Sequence, residues 1–506
     1  MINTMISDLR RVSMLYTSTR DNRIRITASQ AILQGLSEDG GLYVPVDFPR
    51  INRTWQEVKT YTYQEMAEWV LGLFLTDFSA ESIKACVQAA YGENFDDERM
   101  APLVQVGDHY HLELFHGQTI AFKDMALSIL PHLMKKAAKM NHNTNEIVIL
   151  TATSGDTGKA AMAGFKDVIG TKIIVFYPKG GVSSIQERQM ITQEGENTYV
   201  IAVEGNFDDA QNQVKKLFND VSLREKLAQE GCQFSSANSM NIGRLLPQIV
   251  YYFYAYAQLL KEGQIKEGEK INFTVPTGNF GNILAAYYAQ KMGLPVDKLV
   301  CASNDNTVLY DLFQTGTYDR CRPFKLTISP SMDILISSNF ERLLYYAVGE
   351  NSEEVKEYMD ALNLKGSYHL SDEVRKQLSD FVGEYASEEE TLKEIGTVYT
   401  KEGYLMDPHT AVASVCGHKA KKGLKGKNII VSTASPYKFP EAILKALAVE
   451  NPETDRERLE FIHQKSGIAF PPTITALFQA PVRHRMEAAV EEMKDYVLAI
   501  IHQKKK

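Results

Sequence analysis

The chain has little cysteine and no Cys-x-x-Cys pair. Its five cysteines, Cys86, Cys232, Cys301, Cys321 and Cys416, are odd in number and far apart. A disulfide framework and a thiolate zinc site therefore lack support, and no metal is expected. No stretch reaches the roughly 18 apolar residues of a membrane span. The opening "MINTMISDLRRVSML" has neither the apolar core nor the small-residue cleavage site of a secretory signal. These absences predict a soluble, cytoplasmic protein with no membrane partner. Basic excess is missing too, with 55 Lys and Arg against 63 Asp and Glu and a formal net charge of -8. That balance argues against a nucleic-acid surface but leaves room for a local basic pocket holding a small anion. There is no Walker sequence, no GxGxxG fingerprint, no internal repeat and no low-complexity tract.

What is present is ordinary globular composition at unusual length. The 506 residues are 44% hydrophobic and 23% charged, more than one core accommodates, so two or three domains are expected. The first hundred residues are mostly helical: "YTYQEMAEWVLGLFL" and "SAESIKACVQAAYG" repeat apolar residues at three or four. Ser79 is the expected cap of the second. From about residue 110 the rhythm becomes strand, turn, helix. "EIVILTA", "KIIVFYP", "TYVIAVEG", "KINFTVPT", "KLVCAS" and "KNIIVS" are short apolar runs, each followed by a turn and, in most cases, a helical pattern. Continuous apolar strands fit an open parallel sheet covered on both faces. "IGRLLPQIVYYFYAYAQLLKEG" reads as one long helix that Pro247 need not break. Residues 335–400 are charge-rich, with capped helical segments, and read as a peripheral helical insertion.

Ligands of open α/β sheets lie beyond the carboxyl ends of the strands, and three such junctions carry useful groups. "LTATSGDTGKAA" sets Ser154, Asp156 and Thr157 before a helix. The two hydroxyls suit carboxylate or phosphate oxygens, whereas Asp156 alone reads as a helix cap. "VPTGNFGNIL" brings Gly278, Asn279, Phe280, Gly281 and Asn282 to a helix start. Two glycines permit close backbone approach, a recipe for holding phosphate; a plain glycine turn is the ordinary alternative. "VSTASPYKF" ends a strand at Ser432 and Thr433, either of which can meet an aromatic ring nitrogen. In "LFHGQTIAFKDMA", Lys123 is either a solvated charge, as most lysines are, or an amine held for covalent chemistry. A reactive lysine, an anion nest and a partner for a ring nitrogen are the requirements of pyridoxal 5'-phosphate. The sequence has a candidate for each.

These stretches also resemble a family. "ELFHGQTIAFKDMA" is similar to the lysine motif of the threonine synthases, commonly written ELFHGPTLAFKD. "YTSTR", "QGLSEDGGLYVP", "TATSGDTGKAA", "YPKGGVSSIQERQM", "SANSMNIGRLLPQIVYY", "PTGNFGNILAAYYAQKMGLP", "PSMDILISSNFERLL", "DPHTAVA" and "STASPYKF" resemble further blocks in the same order, from about Tyr16 to Phe439. The resemblance implies the tryptophan-synthase-β-like α/β fold of pyridoxal phosphate enzymes, with two open, mostly parallel sheets. It implies a mainly helical N-terminal domain over 1–100 and a small α/β domain over 131–240. The large cofactor-binding domain would comprise 101–130 and 241–506. The implied reaction takes O-phospho-L-homoserine and water to L-threonine and phosphate, by γ-elimination and β-addition of water, in a monomer or homodimer.

Carried over by residue, Lys123 would be the Schiff-base lysine and main proton shuttle. Gly278, Asn279, Phe280, Gly281 and Asn282 would cradle the cofactor phosphate, and Thr433 would meet its ring nitrogen. Asp156 would stand beside the cofactor's phenolic oxygen, where many wider fold members have asparagine. Asn238 and Arg244 would bind the substrate phosphate, with Ser154 and Thr157 on substrate oxygens. Gln118 replaces a common proline, and "TASPYKF" replaces "TAHPAKF", so Ser435 and Tyr437 are expected to bear on pocket shape. The rival readings are a phospholyase of the same family releasing 2-oxobutyrate and a non-catalytic binding or regulatory homologue.

Overall fold

The protein is described by a computed structural model covering residues 13–153, 155–449 and 452–502. Two open sheets organise it. The larger has six strands in the order Phe381–Tyr385, Val296–Ser303, Ile271–Pro276, Asn428–Ser432, His109–Glu113 and Leu103–Val106. All neighbours are parallel except the last pair, a hairpin. The smaller has five parallel strands, Met486–Ala489, Thr198–Glu204, Thr171–Pro178, Glu146–Ala152 and Cys232–Ser235. All eight residues of Thr171–Pro178 are buried, as a strand covered on both faces requires.

The helix Ile242–Lys261 is buried without a break from Ile242 to Leu259, so it is apolar nearly all round rather than along one stripe. Pro247 sits in its second turn, where the missing N–H removes a single ladder bond. Around this rod the N-terminal helices Tyr63–Phe74 and Ala80–Ala90 and the larger sheet share one continuous core. Ser79 caps Ala80–Ala90 as expected, and Thr27, Thr54 and Thr62 each close a capping box. Among the described residues no helix is long and apolar enough to cross a membrane.

Two assignments change. Residues 486–502, placed by sequence with the larger unit, belong to the smaller sheet. Met486–Ala489 pairs with Thr198–Glu204, and Met493, Val497 and Ile500 fill the core beneath. Nor is 335–400 purely helical or peripheral. Phe381–Tyr385 is the outer strand of the larger sheet, and Ser367–His369 pairs with Thr317–Asp319. The flanking charged helices hid both short strands.

Candidate active site

The carboxyl ends of three larger-sheet strands and two smaller-sheet strands feed loops into one cavity of about 440 Å³. Lys123, Thr157, Asn238, Arg244, Gly278 through Asn282 and Thr433 all border it. Asp156 stands just behind, bonded to Lys123. Ser154 lies outside the described residues.

The loop carrying Lys123 is shaped by its own aspartate. Asp124 accepts hydrogen bonds from the Thr119 amide at 2.7 Å and the Thr119 hydroxyl at 2.6 Å. Gly117 must lack a side chain here, since a Cβ would come within 2.6 Å of Asp124. Ile120 takes a left-handed φ of 53°, a cost that the surrounding bonds sustain. Ala121 then bridges Ala434, and the Phe122 amide donates to the Thr433 carbonyl at 2.8 Å. Asp124 is thus a clamp, and burial raises its pKa. Gln118 is exposed at the turn.

Lys123 itself is 11% exposed. Its Nζ donates to Asp156 Oδ2 at 3.1 Å and reaches Ser331 Oγ at 3.4 Å. Burial is the main force lowering its pKa; Asp156 opposes, while Lys438 and Arg244 add to the lowering. Ser331 Oγ also donates to Asp156 Oδ2 at 2.8 Å, and Gln186 Nε2 donates to Oδ1 at 2.9 Å. Burial works to raise the Asp156 pKa, but the two lysines and Gln186 hold it well below the carboxylate range. Asp156 opens the helix Asp156–Phe165, whose cap Gly155 offers no side chain.

Opposite lies a turn built from backbone. Phe280, at φ 65°, opens the helix Gly281–Met292 with no side-chain cap, so the first amides of that helix are free to meet an anion. A Cβ on Gly278 would come within 2.3 Å of the Ser331 carbonyl. The Phe280 ring turns away into a cluster with Phe340 and Phe381. Asn282 Oδ1 accepts from the hydroxyls of Tyr251 at 2.6 Å and Tyr252 at 2.7 Å, and its buried Nδ2 has no partner among the described residues. Thr433 is 5% exposed, its amide donating to Thr410 Oγ1 at 3.3 Å.

Arg244 is the clearest anomaly. It is 3% exposed, donates through Nη1 to the Ala237 carbonyl at 2.6 Å, and among the described residues has no partner for Nε. No carboxylate among the described residues pairs with it, and burial pushes its pKa down to about 10. A buried arginine without an anion is costly unless a ligand completes it. Asn238 lies beside it on the cavity wall, accepting from Thr151 Oγ1 at 2.7 Å.

Family models described as "Threonine synthase N terminus" and "Pyridoxal-phosphate dependent enzyme" match residues 15–91 and 98–435. The chain belongs to the threonine-synthase family of pyridoxal-phosphate-dependent enzymes. It is 37% identical to the threonine synthase of Pseudomonas aeruginosa over 476 residues, 92% of this chain and 97% of that one. With human threonine synthase-like 1 it shares 40% identity over 466 residues, 89% of this chain but 62% of that longer protein. The chain thus spans less than two thirds of that relative. The crystal structure of pyridoxal-phosphate-bound threonine synthase from Brucella melitensis superimposes with a TM-score of 0.85 at 35% identity. That match covers 97% of this chain and all of that one.

Membership makes the chain an enzyme with pyridoxal 5'-phosphate as cofactor, and its residues fit that group. The uncapped helix start, the unpartnered Asn282 Nδ2 and the side-chain-free approach at Gly278 answer a phosphate. Across the cavity stands an amine with a lowered pKa. Sequence reasoning held Lys438 only as a weaker Schiff-base candidate than Lys123, and it missed Gln186, Ser331 and His409 as parts of the site. His409 Nδ1 pairs with Asp407 at 2.6 Å, and its Nε2 accepts the Ser331 amide at 3.1 Å. All four lie inside the quoted family blocks, which was the available signal. Ser435 and Tyr437, expected to shape the pocket, do not border it. The Tyr437 hydroxyl donates to the Ile468 carbonyl at 2.5 Å, and its ring packs on Phe470.

Proposed function

We propose that the protein converts O-phospho-L-homoserine and water to L-threonine and phosphate. The observation that supports this reading best is Arg244, a buried guanidinium with no carboxylate partner among the described residues, beside a cavity that already has a separate phosphate-shaped turn. One cofactor phosphate and one substrate phosphate account for two anion-seeking features. The threonine synthase of Pseudomonas aeruginosa, matched over nearly its whole length, supports the same reaction class.

Gly278, Asn279, Phe280, Gly281 and Asn282 would hold the cofactor phosphate, and Thr433 would offer its hydroxyl to the ring nitrogen. Pyridoxal phosphate, when bound, supplies an electron sink that acidifies protons on the carbons of an attached amino acid. Lys123 Nζ takes the α-proton and later a β-proton, because burial, with Lys438 and Arg244, favours the neutral amine that accepts a proton. Arg244 and Asn238 grip the substrate phosphate and steady it as the γ C–O bond breaks with its electron pair leaving on oxygen. Thr157 and the amides opening its helix orient the substrate carboxylate. A proton is returned at the γ-carbon the phosphate has left, water adds its oxygen at the β-carbon with its spare proton passing to the phosphate, and the α-carbon is protonated last.

Incubation with O-phospho-L-homoserine, with threonine, 2-oxobutyrate and phosphate measured together, tests the reading. Threonine and phosphate in equal amounts are expected. Phosphate accompanied mainly by 2-oxobutyrate would instead mark a phospholyase and sink the proposal.

A further inference from the structure

The mechanism above has no use for Lys438, yet this side chain is fully buried at the site. It comes from the turn Pro436–Lys438, and its Nζ lies 3.0 Å from Asp156 Oδ1 and donates to the Thr119 carbonyl at 2.8 Å. Lysines are almost never fully buried without a paired charge. Asp156 therefore carries two lysines, Lys123 on Oδ2 and Lys438 on Oδ1. Lys123 and Lys438 come from connections of the larger sheet, and Asp156 from the start of a helix that follows a strand of the smaller.

A one-to-one pair of Lys123 with Asp156 would work against catalysis. Each charge would stabilise the other, and Lys123 would grip its proton where it must release it. Release would also strand a carboxylate that is only 5% exposed, a costly state in a low-dielectric pocket. Two ammonium groups against one carboxylate reverse that balance. When Lys123 gives up its proton, Asp156 and Lys438 remain as a neutral pair.

We propose that Lys438 is a positioning residue that keeps Asp156 ionised and in place whatever the charge on Lys123, so that Lys123 exists as the free amine at working pH. The inference rests on Lys123 being the reacting amine and not on the identity of the substrate. Other charges reach this node. Arg244, from the helix Ile242–Lys261, acts on Lys123, and His409, from Pro408–Ala420, acts on Asp156. Asp124 and Lys159 each feel Lys438. Among the described residues, only Lys123 and Lys438 form ion pairs with Asp156.

The test reads the proton on Lys123 directly. The full chain, stripped of cofactor, is labelled with acetic anhydride across a pH series, and the Lys123 peptide is quantified by mass. In Lys438→Met the labelling midpoint moves to higher pH by about one unit or more, and the acid limb of kcat in the holoenzyme moves with it. In Asp156→Asn/Lys438→Met, which removes both charges, the midpoint returns to the wild-type value or below. A midpoint unmoved in Lys438→Met, or a double variant that stays with the single, overturns the proposal. Should Lys438→Met fail to fold, the double variant decides. A folded double variant is expected once the stranded carboxylate is gone, whereas an unfolded one shows that Lys438 serves packing alone.

Discussion

The two walls of the cavity solve the problem of holding charge in opposite ways. On one side, the turn at Gly278–Asn282 offers backbone amides and a helix start, with Asn282 Nδ2 as its buried side-chain donor. On the other, Lys123, Asp156 and Lys438 put three ionisable groups in contact with little solvent. A wall of backbone dipoles is fixed by the fold and has no proton to lose. A node of side chains can change its charge, so each member depends on the others. The first wall suits a group that stays through every turnover. The second suits a group that gains and loses protons during one.

Lys123→Ala separates the walls most sharply. We expect kcat to fall by at least about 10³-fold, within the range for losing a proton-transfer group, while equilibrium dialysis still finds cofactor held through its phosphate. Loss of the cofactor as well would show that the walls are not independent. Arg244→Met comes next. Removing a charged hydrogen-bonding partner lowers kcat/KM by about 10²-fold, and inorganic phosphate should weaken as a competitive inhibitor by a similar factor. Gly278→Ala attacks the backbone wall, because its Cβ would press on the Ser331 carbonyl at 2.3 Å. Strain of about 1–2 kcal/mol corresponds to roughly tenfold weaker cofactor binding by dialysis. A change in kcat at saturating cofactor, with binding intact, would contradict the division of labour.

The smallest effect concerns the approach to Lys123. His116 bridges Asp96 at 2.6 Å and Glu113 at 3.0 Å. Burial opposes its protonation, but the two carboxylates raise its pKa to about 9. The folded protein therefore holds a proton that the unfolded chain releases near 6.5. The resulting stabilisation is complete below about pH 6.5 and fades as pH rises through about 9. Partial exposure of Asp96 reduces it to roughly 1–2 kcal/mol. Denaturant melts of wild type and His116→Gln should differ at pH 6 and converge near pH 10. A constant gap would show that the imidazole contributes by shape.

How much of this was legible in the sequence depends on the distance between partners. "KIIVFYP" and "EIVILTA" were readable as strands because burial on both faces leaves an unbroken apolar run. Met486–Ala489 was not, since "MEAA" is short and its strand character comes from pairing with Thr198–Glu204. The glycine turn at Gly278–Asn282 was visible because all its parts are contiguous. The role of Asp156 was not, because it read as a helix cap while its partners Ser331 and Lys438 lie far along the chain. Tyr437 misled for the same reason: nearby Thr433 borders the cavity and Lys438 reaches Asp156, but its own contacts run to Ile468 and Phe470.

The late strand Met486–Ala489 also sets a timetable. As the chain leaves the ribosome, Thr198–Glu204 emerges with its outer edge bare and waits until every other described strand has been made before its partner arrives. Lys172 waits equally long for the carbonyls of Ile500 and Ile501 that receive its ammonium. An unpaired edge is a template for association with other chains, and pairings so distant in sequence form slowly. The nascent protein therefore passes through a long interval in which its smaller sheet is four strands wide and adhesive, and protection during that interval falls to whatever shields the growing chain.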